Sequence, residues 1–402
     1  MNWDKILVDE LRKYIEGVRE NGRKKSIVIY GAGQIGEALG DLLLANGVDV
    51  YAYAVTEPGF NAMQIRGIPV YAFRDLYKER YDCIYLVAAK MPTAAAIERQ
   101  LQEAGVEYLA APPHLGILVY PDFRRPCLEI TPKVGCIVQC RYCPQALFLS
   151  NYFKDNLGRT NEMNLASFKI CIDKMPKNTL IEFAGFVEPF LAQEATAMMR
   201  YAHESGHDIT LFTTLVGCNI EKFKEIEDIP FRRVVLHVAD VHSYAHIPLT
   251  DDYFRLLRYV SEKKKANGRW FIDKANCQAE PHPAVAEILK DKVTISGKLV
   301  DRAGNLDDDA NSELLHSNMK KGNIFCERSA GLNHNILLPD GTVVLCCMDF
   351  GMKHTLGNLL EESWEDIQES EEMQRLKSSL SSYDKDSLCR HCTASVIIEE
   401  FI

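Results

Sequence analysis

The stretch CLEITPKVGCIVQCRYCPQ, residues 127–145, decides how the chain reads. CLEIT has the apolar and β-branched character of a short buried strand, and a glycine-containing loop follows directly. In that loop Cys136, Cys140 and Cys143 stand at Cys-x3-Cys-x2-Cys spacing. Three thiolates so close in sequence suit three irons of a 4Fe-4S cube and leave the fourth iron without a protein ligand. A structural zinc ion, the competing occupant, asks for four ligands in a closed tetrahedron, and no fourth Cys or His is adjacent.

Downstream of this loop, TLIEFAG, DITLFTTL, RRVVLHVA, RWFIDKA and KVTISG recur as strand candidates with helical stretches between them, DDYFRLLRYVSEKKKANG among them. About six parallel strands make a closed or partly closed βα barrel, and catalytic residues gather where such strands end. Thr213-Thr214 and His237-x2-Asp240 fall at those ends. Upstream, SIVIYGAGQIG is a strand, a glycine turn and the start of a helix, followed by strand candidates VDVYAYAV, IPVYAF and DCIYLVAA. That alternation predicts a separate parallel sheet with crossovers, closing at the proline-rich AAPPHLG, residues 110–116. The resulting α/β organisation is an N-terminal helix over 1–24, a Rossmann-like sheet over 25–115, a partial (β/α)6 barrel over 116–325 and a small cysteine-rich domain over 326–402. In the last of these, ILLPDGTVVLCC predicts a hairpin turning at Asp340-Gly341.

Composition narrows the partners. The formal net charge of -10 opposes a nucleic-acid backbone as ligand. The basic runs Arg23-Lys24-Lys25 and Lys263-Lys264-Lys265 are expected as solvated helix ends. The N-terminal MNWDKILVDELRKYIEGVREN has no apolar run of secretory or membrane-spanning length, so no membrane is implied and a cytoplasmic location is expected. Thirteen cysteines, odd in number and partly at ligand spacing, suit a reducing compartment and thiolate ligands better than disulfides.

With Tyr142 just before the third cysteine, the motif resembles the signature of the radical SAM superfamily. FAGFVEPFL, residues 183–191, is similar to that superfamily's Gly-Gly-Glu-Pro element, although its first part has drifted to Ala184-Gly185-Phe186-Val187 while Glu188-Pro189 stands. The resemblance covers about residues 126–402. It implies that Cys136, Cys140 and Cys143 hold a 4Fe-4S cluster and that S-adenosylmethionine binds the open iron. It further implies that Tyr142, Gly185, Glu188, Pro189 and Thr214 lie about the cosubstrate. A one-electron donor such as flavodoxin or ferredoxin is implied with it.

Cys326, Gly341-x4-Cys346 and Cys389-x2-Cys392 resemble the SPASM and twitch extensions of the superfamily. A full SPASM extension has seven cysteines, and this chain falls short of that number. One auxiliary 4Fe-4S cluster on Cys326, Cys346, Cys389 and Cys392 is implied, with Cys347 as an alternative to Cys346; a four-cysteine zinc ribbon is the competing occupant. Cys218 and Cys277 follow barrel strands and are candidates to return a hydrogen atom to a substrate radical.

Gly31-x-Gly33-x2-Gly36 has the dinucleotide-loop spacing, with Glu57 only loosely placed as a ribose ligand. Tight strand-helix packing is the competing reason for these glycines. The unit resembles Rossmann-like domains attached to sugar acyltransferases, which implies a nucleotide or nucleotide-sugar ligand, or else a scaffold role. The expected activity is hydrogen abstraction from a sugar or glycan-type small molecule, by dehydrogenation or epimerisation. A ribosomal peptide is the alternative substrate, and a nucleotide-dependent dehydrogenase or zinc scaffold the alternative class.

Overall fold

The computed structural model describes residues 3–57, 63–79, 82–89, 93–110, 125–296, 299–306, 318–329, 331–381 and 386–397. The boundary expected at 110–116 lies, from residue 111 on, outside the described residues. The chain divides into two compact units, Met1–Phe123 and Arg124–Ile402.

In the first unit α1 (Trp3–Gly22) buries Val18 in a core that also contains Ile27, Ile29 and Leu39. The sheet comprises β1 (Ser26–Tyr30), β2 (Val50–Val55), β3 (Gln64–Ile65), β4 (Ile68–Ala72), β5 (Cys83–Val87) and β6 (Tyr108–Leu109), in the order β3-β4-β2-β1-β5-β6. Its pairings are parallel except for β3, which lies antiparallel on the β4 edge and was not foreseen. Helices α2 (Gln34–Ala45), α3 (Phe73–Glu79) and α4 (Thr93–Glu103) complete the crossovers. The order reverses between β1 and β5, so the glycine loop sits at the switch point where such sheets bind ligands.

The second unit carries β7 (Cys127–Ile130), β8 (Leu180–Phe183), β9 (Asp208–Thr213), β10 (Arg233–His237), β11 (Lys274–Cys277) and β12 (Val293–Ile295), all parallel in sequence order. Between them run α5 (Gln145–Tyr152), α6 (Leu165–Asp173), α7 (Ala195–Glu204), α8 (Ile220–Lys224), α9 (Asp251–Ser261) and α10 (Pro283–Leu289). Phe183 packs on Phe168 of α6 at 6.0 Å between ring centroids, which marks that face of β8 as outer. Each of these fully buried rings contributes roughly 2–3 kcal/mol. Alternation then turns Glu182 inward, and register carries Glu129, Thr210 and Arg233 to the same inner layer.

A C-terminal hairpin, β14 (His334–Leu337) and β15 (Thr342–Val344), turns at Asp340-Gly341, where Gly341 has φ +86°. Strand β14 pairs in parallel with β7, and β16 (Thr355–Asn358) follows β15, so one sheet of nine strands runs from β12 to β16. The barrel sheet is therefore open and continues into the cysteine-rich region. A separate pair, β13 (Ile324–Cys326) and β17 (Ser395–Ile397), sets Cys326 opposite Ser395. Helices α11 (Trp364–Glu369) and α12 (Glu371–Ser379) complete the region.

Two expectations shift. RWFIDKA enters the sheet only at Lys274, because Phe271 is taken into the core against Phe223 at 4.9 Å and Phe231 at 5.7 Å. Lys265, expected as a solvated helix end, is 9% exposed and pairs with Asp273 at 2.6 Å. The helix stops at Ser261, and the following turn carries this lysine inward.

Candidate functional site

The loop after β7 presents Cys136, Cys140 and Cys143 half-buried at the end where the parallel strands finish. It is built by backbone: Gly135 and Gln139 take φ +94° and +43°, and the Cys143 N–H donates to the Cys140 carbonyl at 2.9 Å. The segment after β10 braces it, since Arg141 N–H donates to the Tyr244 carbonyl and His246 N–H to the Val138 carbonyl, both at 2.7 Å. Gln145 donates to the Phe186 carbonyl and reaches the Cys143 sulfur at 3.5 Å. Burial raises all three thiols, Cys140 to about 12. Backbone N–H groups of Glu188, Val138 and Gln139 oppose this at Cys136. Tyr142 bonds to Cys140 through its side chain.

Glu188 thus meets the triad through its main chain, while its carboxylate clamps the next strand end. One oxygen accepts from Phe190 N–H (3.2 Å) and Thr213 Oγ1 (2.8 Å), the other from Thr214 N–H (2.5 Å) and Thr214 Oγ1 (2.7 Å). Four donors fill the lone-pair sites of a carboxylate, so Glu188 has none spare for an ammonium in this arrangement. Burial raises its pKa against those same donors. Gly185 is required here: its φ is +59°, and a Cβ would stand 2.1 Å from Thr131 Oγ1. Pro189 is buried and opens the one-turn helix Pro189–Leu191. His237 stacks on Phe212 at 6.3 Å, and burial with Lys274, Arg302 and Arg233 lowers it to about 4, so it is neutral at ordinary pH. Asp240 serves a turn, accepting from His242 and Tyr244 N–H groups.

A charged group in the barrel interior escaped the sequence reading. Glu129, Glu182 and His334 bring their ligand atoms within 4.8 Å of one another. His334 Nε2 lies 2.7 Å from Glu129 Oε1. Burial opposes charge at both acids; His334 and Arg328 nevertheless hold Glu129 below the usual carboxylate range, while burial and the Glu129 charge push Glu182 above it. The available signal was an acidic residue inside each of two apolar strands, CLEI and LIEF.

The late cysteines line one cavity: Cys326, Cys346, Cys347, Cys389 and Cys392. Burial dominates their raised thiol pKa values, and beneath it each set of neighbours shows. Cys346 feels Cys347 first and then Cys389 and Cys392, while Cys389 feels Cys326 and Cys392. Cys347 instead faces Arg328, whose Nη1 donates to its sulfur at 3.0 Å, and Glu129. The arrangement therefore favours Cys346 over Cys347 as the partner of the other three. Arg390 is 0% exposed between Cys389 and Cys392, and it donates to the carbonyls of Lys320 (2.7 Å), Gly322 (3.0 Å) and Ser379 (2.7 Å). Among the described residues, neither cysteine set brings three sulfurs within 4.8 Å of one another. Three thiols in one loop and a cavity lined by five are donor sets that suit iron-sulfur clusters.

Of the other thiols, Cys277 lies on the outer face and donates to the Ala279 carbonyl at 2.9 Å, away from the barrel interior. Cys218 donates to the Asn219 carbonyl at 3.4 Å, within the electrostatic reach of Glu188. In the first unit, Gly31 and Gly36 are demanded by packing: a Cβ would stand 2.4 Å from the Ala88 carbonyl oxygen and 1.8 Å from that of Gly31. Gly33, by contrast, faces open space before α2. Glu57 lies 3.7 Å from Arg74.

Residues 326–393 match the SPASM family, an iron-sulfur cluster-binding domain. The chain carries a SPASM-type domain. Cysteine loop, open parallel barrel and SPASM domain follow one another in the order that the radical SAM resemblance implies. No curated protein matches the chain. Among solved structures it is similar to BtrN in complex with AdoMet and 2-DOIA, with 18% identity, 67% of this chain and 93% of that chain covered, and a TM-score of 0.44. It is also similar to anSMEcpe with bound AdoMet (14%, 66% and 86% covered, TM-score 0.37). For Streptococcus suis SuiB bound to precursor peptide SuiA the values are 14%, 73% and 74%, and 0.41. Likenesses of this order carry nothing about substrate. Among the described residues, no helix is long and apolar enough to cross a membrane.

Proposed function

We propose that the protein is a radical SAM enzyme that abstracts hydrogen from a sugar or glycan-type small molecule and oxidises it. The observation that carries this reading is the triad Cys136, Cys140 and Cys143 at the end of a parallel barrel, with a fourfold cysteine set in the same sheet-built unit. When bound, a 4Fe-4S cluster with S-adenosylmethionine supplies one-electron cleavage of the sulfonium and a 5'-deoxyadenosyl radical able to take hydrogen from carbon.

The chain's own residues hold and screen that chemistry. The triad supplies three thiolates, and backbone N–H groups temper the charge on Cys136. Tyr142, Gly185, Glu188, Pro189 and Thr214 shape the place for the cosubstrate, with Glu188 fixing the β8 and β9 mouth through Thr213 and Thr214. Cys326, Cys346, Cys389 and Cys392 would hold an auxiliary cluster. Four thiolates would leave such a cluster no open position for substrate, and the one-electron chemistry it would supply supports dehydrogenation. A flavodoxin or ferredoxin class donor supplies the initiating electron. The glycine-loop unit, which resembles Rossmann-like domains attached to sugar acyltransferases, supports the small molecule.

Anaerobic reconstitution tests this: about eight irons per chain and reductive release of 5'-deoxyadenosine are expected. Zinc in their place, with no deoxyadenosine, would overturn the reading. Epimerisation survives through Cys218 alone of the two candidate thiols. Solvent deuterium in product, lost in Cys218→Ala, would replace dehydrogenation by it.

A further inference from the structure

Two carboxylates near the strand ends are already engaged. Glu188 is filled by four donors, and Asp240 accepts from the His242 and Tyr244 N–H groups at 2.9 and 3.2 Å. Glu182, within β8, differs from both. Among the described residues its carboxyl takes part in no hydrogen bond or ion pair, and it is 9% exposed where Glu129 beside it is 2% exposed. A carboxyl so far from water and without a partner is costly, so its retention calls for an explanation. Register fixes its neighbours on the inner wall: Glu129 of β7 lies across from it on one side and Thr210 of β9 on the other, with Arg233 of β10 next to Thr210.

His334 on β14 completes the group. Its Nε2 is 2.7 Å from Glu129 Oε1, and Glu129, Glu182 and His334 each bring an atom within 4.8 Å of the others. The same His334 lines the cavity of the late cysteines, together with Arg328, whose Nη1 is 3.0 Å from the Cys347 sulfur. Glu182 therefore stands where the barrel interior meets that cavity. Burial and the Glu129 charge favour its protonated form, while His334, Arg328 and Arg233 favour its ionised form. Cys127, on the same face of β7 as Glu129, is kept a neutral thiol by burial. A carboxyl under such opposed influences can exchange a proton near neutral pH, as a general base must.

Oxidation of a carbon that bears a hydroxyl to a carbonyl removes one hydrogen atom, one electron and one proton. Under the reading above, on which this inference rests, the hydrogen atom goes to the 5'-deoxyadenosyl radical and the electron to an iron-sulfur cluster. We propose that the proton goes to Glu182, whose free carboxylate oxygen accepts it from the hydroxyl of the carbon being oxidised. The O–H bond breaks as the C=O bond forms, and a neutral carboxyl is left beside the Glu129–His334 pair. The reacting carbon of the substrate is thereby one that carries a hydroxyl.

Carbodiimide labelling of the anaerobically reconstituted full chain tests the assignment, because a carbodiimide reacts with a protonated carboxyl that it can reach. Peptide mass spectrometry is expected to find the adduct on Glu182 at pH 5, at least tenfold less of it at pH 9, and none on Glu129 or Glu188. Glu182 unlabelled, or labelled equally at both pH values, overturns the assignment. So does protection by equimolar manganese(II), which would mark the group as a metal site. Methyl glucoside, methyl galactoside and myo-inositol are then supplied as probes, and hydrazine-trapped carbonyl is measured against deoxyadenosine. That ratio is expected to fall at least tenfold in Glu182→Gln and to recover in part in Glu182→Asp; an undiminished ratio in Glu182→Gln overturns the assignment. Where no probe is oxidised, the labelling decides. Failure of the unmodified protein to release deoxyadenosine removes the radical reading and this assignment with it. Deoxyadenosine release with Glu182 unlabelled removes this assignment alone.

Discussion

The two cysteine sets of the second unit differ in how the fold holds them. The triad hangs in a half-buried loop built from positive-φ turns and braced by backbone bonds from the β10 side. The later set is drawn from three separated places, β13, the residues after β15 and the Cys389–Cys392 turn, around one cavity. A loop leaves one side open to an incoming molecule, whereas convergence from several elements closes a site on all sides. Under the proposed function the first is the reactive centre and the second an electron carrier.

That contrast is most sharply tested by cysteine variants. Cys140→Ala is expected to abolish deoxyadenosine release outright. Cys389→Ala is expected to lower iron by about four per chain while deoxyadenosine still forms, and substrate oxidation stops. Cys347→Ala should leave the iron content of the unmodified protein. Equal loss of deoxyadenosine in Cys140→Ala and Cys389→Ala would erase the distinction, and iron loss in Cys347→Ala would reassign the fourth ligand.

A second effect falls on the closed site alone. Arg390→Met strips three carbonyls of their donor, with an expected cost of about 3 kcal/mol and loss of the auxiliary cluster, read by urea unfolding and iron assay. Retained stability would show that the turn is held by its metal and not by the guanidinium.

The smallest effect concerns the acids between the two regions. The folded state keeps Glu182 protonated above the ordinary carboxylate range, so it holds a proton that the unfolded chain has released. Stability is then lost as pH rises through the interval above about 4.5, and Glu182→Gln should flatten that fall by on the order of 2 kcal/mol at pH 8. Thermal unfolding of both forms across pH 4–8 checks it; parallel curves would mean that Glu182 is ionised throughout.

How much was legible follows from where the information lies along the chain. Local chemistry carries the strand before the triad, the tight turn at Asp340-Gly341 and the strand-helix rhythm, since each depends on neighbouring residues. The pairing of β14 with β7 spans some two hundred residues of sequence and leaves no local mark. RWFI misled because an apolar run serves a core of aromatic rings as readily as a strand. Lys265 misled because charge alone cannot tell a solvated end from a paired interior.

The bond between β7 and β14 has a practical consequence. Without the chain beyond residue 325, β7 would become the outermost strand of the parallel set, with the N–H and C=O groups that now meet β14 bare. Its side chains are buried at every position and three of the four are apolar, so the bared margin would be ready to recruit another chain. A truncated barrel would therefore be an aggregation hazard, and the C-terminal segment acts as the cover that keeps the parallel strands from pairing with another chain.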